Sequence, residues 1–228
     1  MRLAKLSEKG VMQMDFASIA CAPLDNRAYV VWDKNKTAVV IDPSMSFEEI
    51  SALAKKEKLS IKLIVNTHGH HDHMFNNYEL KAATGAQLCI HELDEYRLEK
   101  NSGETRPWLP RSPIYQKEDF TFKDGQVLQA GEVKLKVVHA PGHTEGSSCF
   151  VLEGGFEGKP VLFTGDTLFK GTFGRTDFPG GNETQMWQSL KLLSALKEDY
   201  LVLPGHGQQT NLSSERAWME KLVKEKLG

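Results

Sequence analysis

Seven residues, Thr67-His68-Gly69-His70-His71-Asp72-His73, constrain this chain more than any other stretch. They follow the apolar run Ile61-Lys62-Leu63-Ile64-Val65, which reads as a short buried strand ending where the polar residues begin. His68 and His70 are two apart, so an extended backbone projects both to one side, whereas a helix would turn them about 200° apart. The motif is therefore expected to be a loop rather than a helix. Gly69 lets it bend without steric bulk, and Asp72 and His73 come far enough on to reach a second position beside the first. Four of the eight histidines fall between positions 68 and 73. A solvated loop has no reason to concentrate them so, and an affinity tag would sit at a terminus without the internal Gly and Asp. Neutral imidazole and carboxylate suit zinc, iron or manganese, and a rigid strand end is where a scaffold holds them.

With 228 residues, 40% of them hydrophobic, the chain can bury one sizeable core, read here as one domain over 1–228. A net charge of −2 gives no reason to expect nucleic acid or an anionic membrane as a partner. No window approaches the run of about 18 apolar residues a membrane span needs, and the charged N-terminus lacks the apolar segment of a secretory signal. Cys21, Cys89 and Cys149 lie far apart in apolar stretches. They are expected to be buried thiols of a reducing compartment, which places the protein in the cytoplasm.

The chain opens with strand-like runs at 11–18, 28–32 and 37–41, separated by turns such as Asp33-Lys34-Asn35. Asp42-Pro43 stops this meander. Ser46 and Glu49 then form a capping box ahead of a helix whose Phe47, Ile50, Leu53 and Ala54 share a face. A second helix through 78–83 stops at Gly85, before a strand at 87–90. Residues 98–119 show neither period and read as a surface loop pinned by Trp108, the alternative being a loop that crosses the mouth of the site and brings Trp108, Arg106 and Arg111 to an anionic substrate. Strands return at 127–128, 133–139, 148–152 and 161–163, with a turn at Gly154-Gly155. Asn182 and Gln185 open a helix with Met186, Leu190 and Leu193 inward, 200–203 is a last strand, and 215–226 a last helix.

The second half repeats the placement of polar residues at strand ends. His143 stands in Pro141-Gly142-His143, Asp166 in Thr164-Gly165-Asp166-Thr167 and His206 in Pro204-Gly205-His206-Gly207. Singly each reads as a turn residue. Together with the first cluster they make seven ligands, the number two adjacent ions need if one carboxylate is shared and water fills the rest.

His-x-His-x-Asp-His followed by distant His, Asp and His resembles the metallo-β-lactamase fold, a four-layer αββα sandwich of the α/β class, over residues 11 to about 212. The string Gly165-Asp166-Thr167-Leu168-Phe169, running into Gly174-Arg175-Thr176-Asp177-Phe178-Pro179-Gly180-Gly181, is similar to the short bacterial glyoxalase II-like hydrolases. The resemblance implies that His68, His70 and His143 hold one ion, that Asp72, His73 and His206 hold the other, and that Asp166 bridges them. His71 takes the family's variable position, His139 stands behind the ligands and His91 at the surface. Glyoxalase II proper adds a helical C-terminal domain that helps bind glutathione, whereas here 22 residues follow His206, and its Cys-Gly-Lys reads Phe173-Gly174-Arg175. The carboxylate contact of a substrate is thereby expected at Arg175. Persulfide dioxygenases of the same fold share Gly-Arg-Thr-Asp-Phe and use a single iron at the first position plus the Asp, which makes them the alternative.

The chemistry implied is hydrolysis of a thioester, S-lactoylglutathione or a similar hydroxyacyl thioester. Two divalent ions, zinc first with iron or manganese as alternatives, lower the pKa of a bridging water from 15.7 to about 7, with Asp72 and Asp166 as catalytic carboxylates. A thiolate, of parent pKa near 8.5, leaves without a dedicated acid. No Gly-x-Ser-x-Gly elbow points to covalent catalysis. A β-lactamase would fit the fold but for the missing secretory signal, and a nuclease would want a basic surface.

Overall fold

The computed structural model describes residues 14–228 except Glu104, Arg106 and Trp108. Strands β1 (Asp15–Cys21), β2 (Asn26–Trp32), β3 (Thr37–Ile41), β4 (Ser60–Val65), β5 (Gln87–His91) and β6 (Phe120–Phe122) form one sheet in that spatial order. The first three are an antiparallel meander, and β3 to β6 run parallel. Helices α1 (Phe47–Glu57), α2 (His71–Met74), α3 (Asn77–Thr84) and α4 (Glu95–Lys100) lie in the connections. Parallel neighbours need such crossovers, because a two-residue turn cannot carry the chain back to the starting edge.

The second half supplies β7 (Val127–Ala130), β8 (Val133–His139), β9 (Ser148–Phe156) and β10 (Lys159–Gly165), a small hairpin of β11 (Leu168–Phe169) and β12 (Thr172–Phe173), then α5 (Glu183–Ser194), β13 (Leu201–Pro204), β14 (Thr210–Asn211) and α6 (Leu212–Leu227). Its sheet is ordered β14-β13-β10-β9-β8-β7.

Alternation along the strands divides the apolar residues into three layers. On β8, Val133, Leu135 and Val137 point between the sheets, where they meet Val39, Ile41, Leu63 and Val65. The opposite faces of β3 and β4 carry Val40 and Ile64 onto Ile50 of α1, Leu80 of α3 and Leu98 of α4. Leu162 and Val202 of the second sheet pack on Met186, Leu190 and Leu193 of α5 and on Leu212 and Met219 of α6. Helix, sheet, sheet and helix follow in order, the four-layer αββα sandwich expected from the sequence. Truncating a side chain as enclosed as Phe150 or Phe163 would cost about 3–5 kcal/mol.

Several local expectations are corrected. Ser46 does not close a capping box: its hydroxyl donates to Pro43 O, and Phe47 N is capped by Asn76 Oδ1 at 3.1 Å, a partner 29 residues away. Gly154-Gly155 is not the turn, because β9 continues through both to Phe156 and the chain reverses at Glu157-Gly158. Residues 98–100 belong to α4, whose Leu98 fills the helical layer. Of the first strand expected, residues 11–13 lie outside the described residues, as do Arg106 and Trp108, and the strand runs from Asp15. Asn182 does cap its helix, accepting from Gln185 N.

Strands β3, β4 and β5 run together, and so do β8, β10 and β13. Their carboxyl ends gather at one edge of the sandwich. Ser148 N donating to Thr67 O at 2.9 Å and Arg27 N donating to Gly205 O at 2.8 Å pin the two halves there.

Candidate metal centre

All seven predicted ligands converge at that edge. His68 lies in a bend just after β4 and His70 in extended backbone, but Asp72 and His73 stand on the single turn of α2, so the motif is half loop and half helix rather than the loop expected. His143 sits in the turn after β8, Asp166 directly after β10 and His206 directly after β13. His68, His70 and His143 form one group whose donor atoms lie within 4.8 Å of one another, and Asp72, His73 and His206 form a second. Asp166 stands between them. Its Oδ2 is 3.4 Å from His143 Nε2 and 3.3 Å from His206 Nε2, one nitrogen from each group, and its Oδ1 is 3.4 Å from His73 Nε2.

Backbone and side-chain acceptors fix the rings so that the other nitrogen of each points inward. His143 Nδ1 donates to Arg175 O at 2.7 Å and His206 Nδ1 to Leu24 O at 2.9 Å, which leaves each Nε2 facing the centre. His73 Nδ1 is held at 2.9 Å by Asp42 Oδ2. Asp42 is also grouped with His68 and His73 by distance, but its oxygens already accept from Thr67 N and Thr67 Oγ1, so it orients rather than ligates. Asn26 Nδ2 donates to Asp72 Oδ2 at 3.0 Å.

The donor set fits divalent cations on this geometry alone. His68 Nε2 and Asp166 Oδ1 are buried without a hydrogen-bond partner, a costly arrangement that an ion would relieve. His70 Nδ1 lies 2.9 Å from His143 Nε2, and His73 Nε2 lies 3.2 Å from His206 Nε2, nitrogens aimed at common points. Burial holds His68 far below the ordinary imidazole range and His70 down at about 3, so both rings are neutral, as a ligand must be. The other group is charged. Burial opposes it, but Asp166, Asp72 and Asp42 raise His73 well above its usual value, and Asp166 with Asp72 raises His206 to about 10. Against the same burial, His73 keeps both Asp72 and Asp166 below the usual carboxylate range. Two imidazolium rings thus occupy the electrostatic place of a cation.

The centre opens into a cleft of about 520 Å³ walled by Leu24, Phe169, Phe178 and Pro179. Arg175 lies on its rim, paired with Asp177 at 2.7 and 2.6 Å and with its guanidinium 3.8 Å above the Phe178 ring. Arg111 turns elsewhere, to Glu79 and the Phe75 ring, and so does not reach the cleft. His91 is not at the surface: 3% exposed, it stacks on His139 at 4.2 Å, and burial lowers it to about 4. His139 touches no ligand ring through a hydrogen bond and donates instead from Nε2 to Glu145 O at 2.8 Å, two residues after His143. Four residues that shape the site escaped the sequence reading: Asp42, Asn26, Asp94 and Arg97. Asn26, Asp94 and Arg97 lie among other charged residues from which nothing local sets them apart, and only the Asp-Pro pair at 42–43 gives any local signal. The three cysteines are buried and unpaired, as expected. No helix among the described residues is long and apolar enough to cross a membrane.

Comparison with known proteins places the chain. Residues 22–206 match the model of the metallo-beta-lactamase superfamily. The hydroxyacylglutathione hydrolase GloC of Haemophilus influenzae is 29% identical over 206 residues, covering 89% of this chain and 95% of the relative. Among solved structures, the BLEG-1 B3 metallo-beta-lactamase superposes with a TM-score of 0.80 at 28% identity, over 89% of this chain and 96% of that one. A di-iron-bound form of TTHA1623 follows with a TM-score of 0.77 at 32% identity, over 87% and 96%. With the fold, the converging His and Asp side chains and a family match over most of its length, this chain belongs to the metallo-beta-lactamase superfamily.

Proposed function

We propose that this protein is a dinuclear metal-dependent hydrolase of a small hydroxyacyl thioester, S-lactoylglutathione or a close analogue. One observation carries the two-ion reading: Asp166 Oδ2 stands almost equally far from His143 Nε2 and His206 Nε2, which belong to different groups. His68, His70 and His143 would hold one ion, Asp72, His73 and His206 the other, and Asp166 would be common to both. Zinc is the ion inferred from the nitrogen and oxygen donors, with iron and manganese as alternatives. Such ions polarise a carbonyl and make water nucleophilic near neutral pH. The name of the Haemophilus influenzae relative supports the choice of thioester.

The chain's own groups then have separate tasks. The apolar walls from Leu24, Phe169 and Phe178 exclude water from the acyl group. Asp72, steadied by Asn26 Nδ2 and held ionised, would orient the attacking water, whose proton passes to solvent, and Arg175 receives a carboxylate of the thiol carrier. Its partner Asp177 is exposed, so their pair is weak and opens readily. The departing thiolate needs no acid from the protein. The reaction is assigned to one domain acting in the cytoplasm, in keeping with the buried free thiols Cys21, Cys89 and Cys149.

The test loads one sample in turn with zinc and iron. Loss of S-lactoylglutathione is followed by ultraviolet absorbance, oxygen uptake with glutathione persulfide by electrode, and a chromogenic cephalosporin serves as a third substrate. Thioester turnover that persists without oxygen and disappears in His73→Ala supports the proposal. Oxygen consumption with iron and no thioester loss with either metal would overturn it in favour of the dioxygenase.

A further inference from the structure

One buried ion pair at the start of α4, between the N-cap residue Asp94 and Arg97 of the helix, reaches the segments around the three-histidine group. Asp94 is fully enclosed and accepts four hydrogen bonds. Its Oδ2 takes Gly69 N at 2.8 Å and Thr144 Oγ1 at 2.7 Å, while its Oδ1 takes Gly146 N at 2.8 Å and Arg97 Nε at 3.1 Å. Gly69 lies between His68 and His70, and Thr144 and Gly146 follow His143 in its turn, so one carboxylate grips both loops that carry this group. Arg97 extends the grip. Its Nη2 pairs with Glu145 and donates to Pro179 O at 3.0 Å, on the cleft wall whose Phe178 ring stands edge-on to His70 at 5.9 Å.

Packing says the same as the hydrogen bonds. A Cβ on Gly69 would lie 2.4 Å from Arg97 Cβ, and one on Gly146 would lie 2.7 Å from Asp94 Cβ. Both loops carry glycine where they touch the pair, because no side chain fits between. The Asp72, His73 and His206 group has no such contact with Asp94 or Arg97. It is oriented instead by Asp42, Asn26 and Leu24 O.

We propose that Asp94, braced by Arg97, is the positioning residue that sets the three-histidine metal position and leaves the Asp72, His73 and His206 position alone. The proposal rests on the metal reading above but not on which reaction the ions serve. Four acceptor contacts on one rigid side chain hold three ligand nitrogens against thermal spread, and the loss of such an outer partner typically lowers metal affinity by roughly 10–100-fold.

Two one-site backgrounds test it without any activity assay. His206→Ala weakens the second position and leaves the three-histidine position, and His143→Ala does the reverse. Apo protein is titrated with zinc against a chromophoric chelator, while circular dichroism checks the fold. Asp94→Asn is expected to weaken zinc binding about 10–100-fold in the His206→Ala background and to leave it unchanged in the His143→Ala background. Thr144→Val, which removes one of the four contacts and leaves Arg97 paired, is expected to show a smaller loss in the same background and gives the answer should Asp94→Asn not fold. Equal losses in both backgrounds, or none in either, would overturn the role of Asp94. Wild-type protein that takes up no zinc would overturn the metal reading and the proposal with it.

Discussion

Exchanging Asp42 for asparagine tests how the protein chooses the tautomer of His73. Asp42 Oδ1 accepts from Thr67 N at 2.8 Å, and Oδ2 accepts from Thr67 Oγ1 at 2.7 Å and from His73 Nδ1 at 2.9 Å. The carboxylate is 1% exposed, so water cannot replace it. In Asp42→Asn the amide oxygen can still serve Thr67 N, but the amide nitrogen then meets His73 Nδ1, donor against donor. Once the ring gives up one proton to bind an ion, it would have to keep the other on Nε2, the atom 3.2 Å from His206 Nε2 and 3.4 Å from Asp166 Oδ1. A nitrogen protonated there has no lone pair for an ion. The expected loss is about 10–100-fold in affinity at that position, equivalent to about 1.4–2.7 kcal/mol. Losing one charge-assisted hydrogen bond also costs about 1.5–3 kcal/mol of folding stability. At about 2–4 °C per kcal/mol for a chain of this size, the metal-free Tm falls by about 3–12 °C. Zinc titration against a chelator in the His143→Ala and His206→Ala backgrounds reads the affinities, and calorimetry reads the Tm. Asp42 touches one ligand ring, so equal weakening of both positions, or wild-type affinity at the Asp72, His73 and His206 position, would refute the tautomer argument.

Asp166→Ala should lose more metal than Asp72→Ala or His206→Ala when elemental content is compared after gel filtration, because it removes a ligand from both groups at once. Arg175→Ala should raise KM for a carboxylate-bearing thioester and leave kcat and metal content near wild type, whereas an unchanged KM in steady-state kinetics would assign Arg175 to its pair with Asp177. Zinc loading near neutral pH should release protons, seen as a dependence of the calorimetric heat on buffer ionisation enthalpy, because His73 and His206 are held protonated in the metal-free protein. The sign follows from raised values: in metal-free protein the stability owed to charged His206 is complete below the unfolded value of about 6.5 and is lost as pH rises through about 10.

The ligands were legible because their chemistry is written locally. His-x-His-x-Asp-His sets four donors in one short segment, and His143, Asp166 and His206 each follow an apolar strand in a glycine-flanked turn. The supporting residues are written nonlocally. Asp94 is 25 residues from Gly69 and 52 from Gly146, and Asp42 is 31 from His73. Nothing in Leu93-Asp94-Glu95 announces that the carboxylate will be enclosed by two loops which only the finished fold brings together. The errors at the level of elements have the same origin. Phe120–Phe122 is too short to show a period, yet parallel pairing with β5 makes it a strand, and the cap of α1 comes from Asn76, which arrives only when α3 docks. Gly154-Gly155 carries the composition of a turn, but pairing of β9 with β10 absorbs it.

Neither group of ligands belongs to one half of the chain. His68, His70, Asp72 and His73 come from the half that ends with β6, and His143, Asp166 and His206 from the half that begins with β7, so each position draws on both sides of the seam. A bound ion therefore acts as a reversible cross-link between two sheets whose other ties at that edge are a few hydrogen bonds. Free metal at a thousand times its dissociation constant contributes about 4.1 kcal/mol per site to the folded state. Heat resistance should therefore follow the free-metal level, and a chelator should loosen the seam between the halves before it melts either sheet.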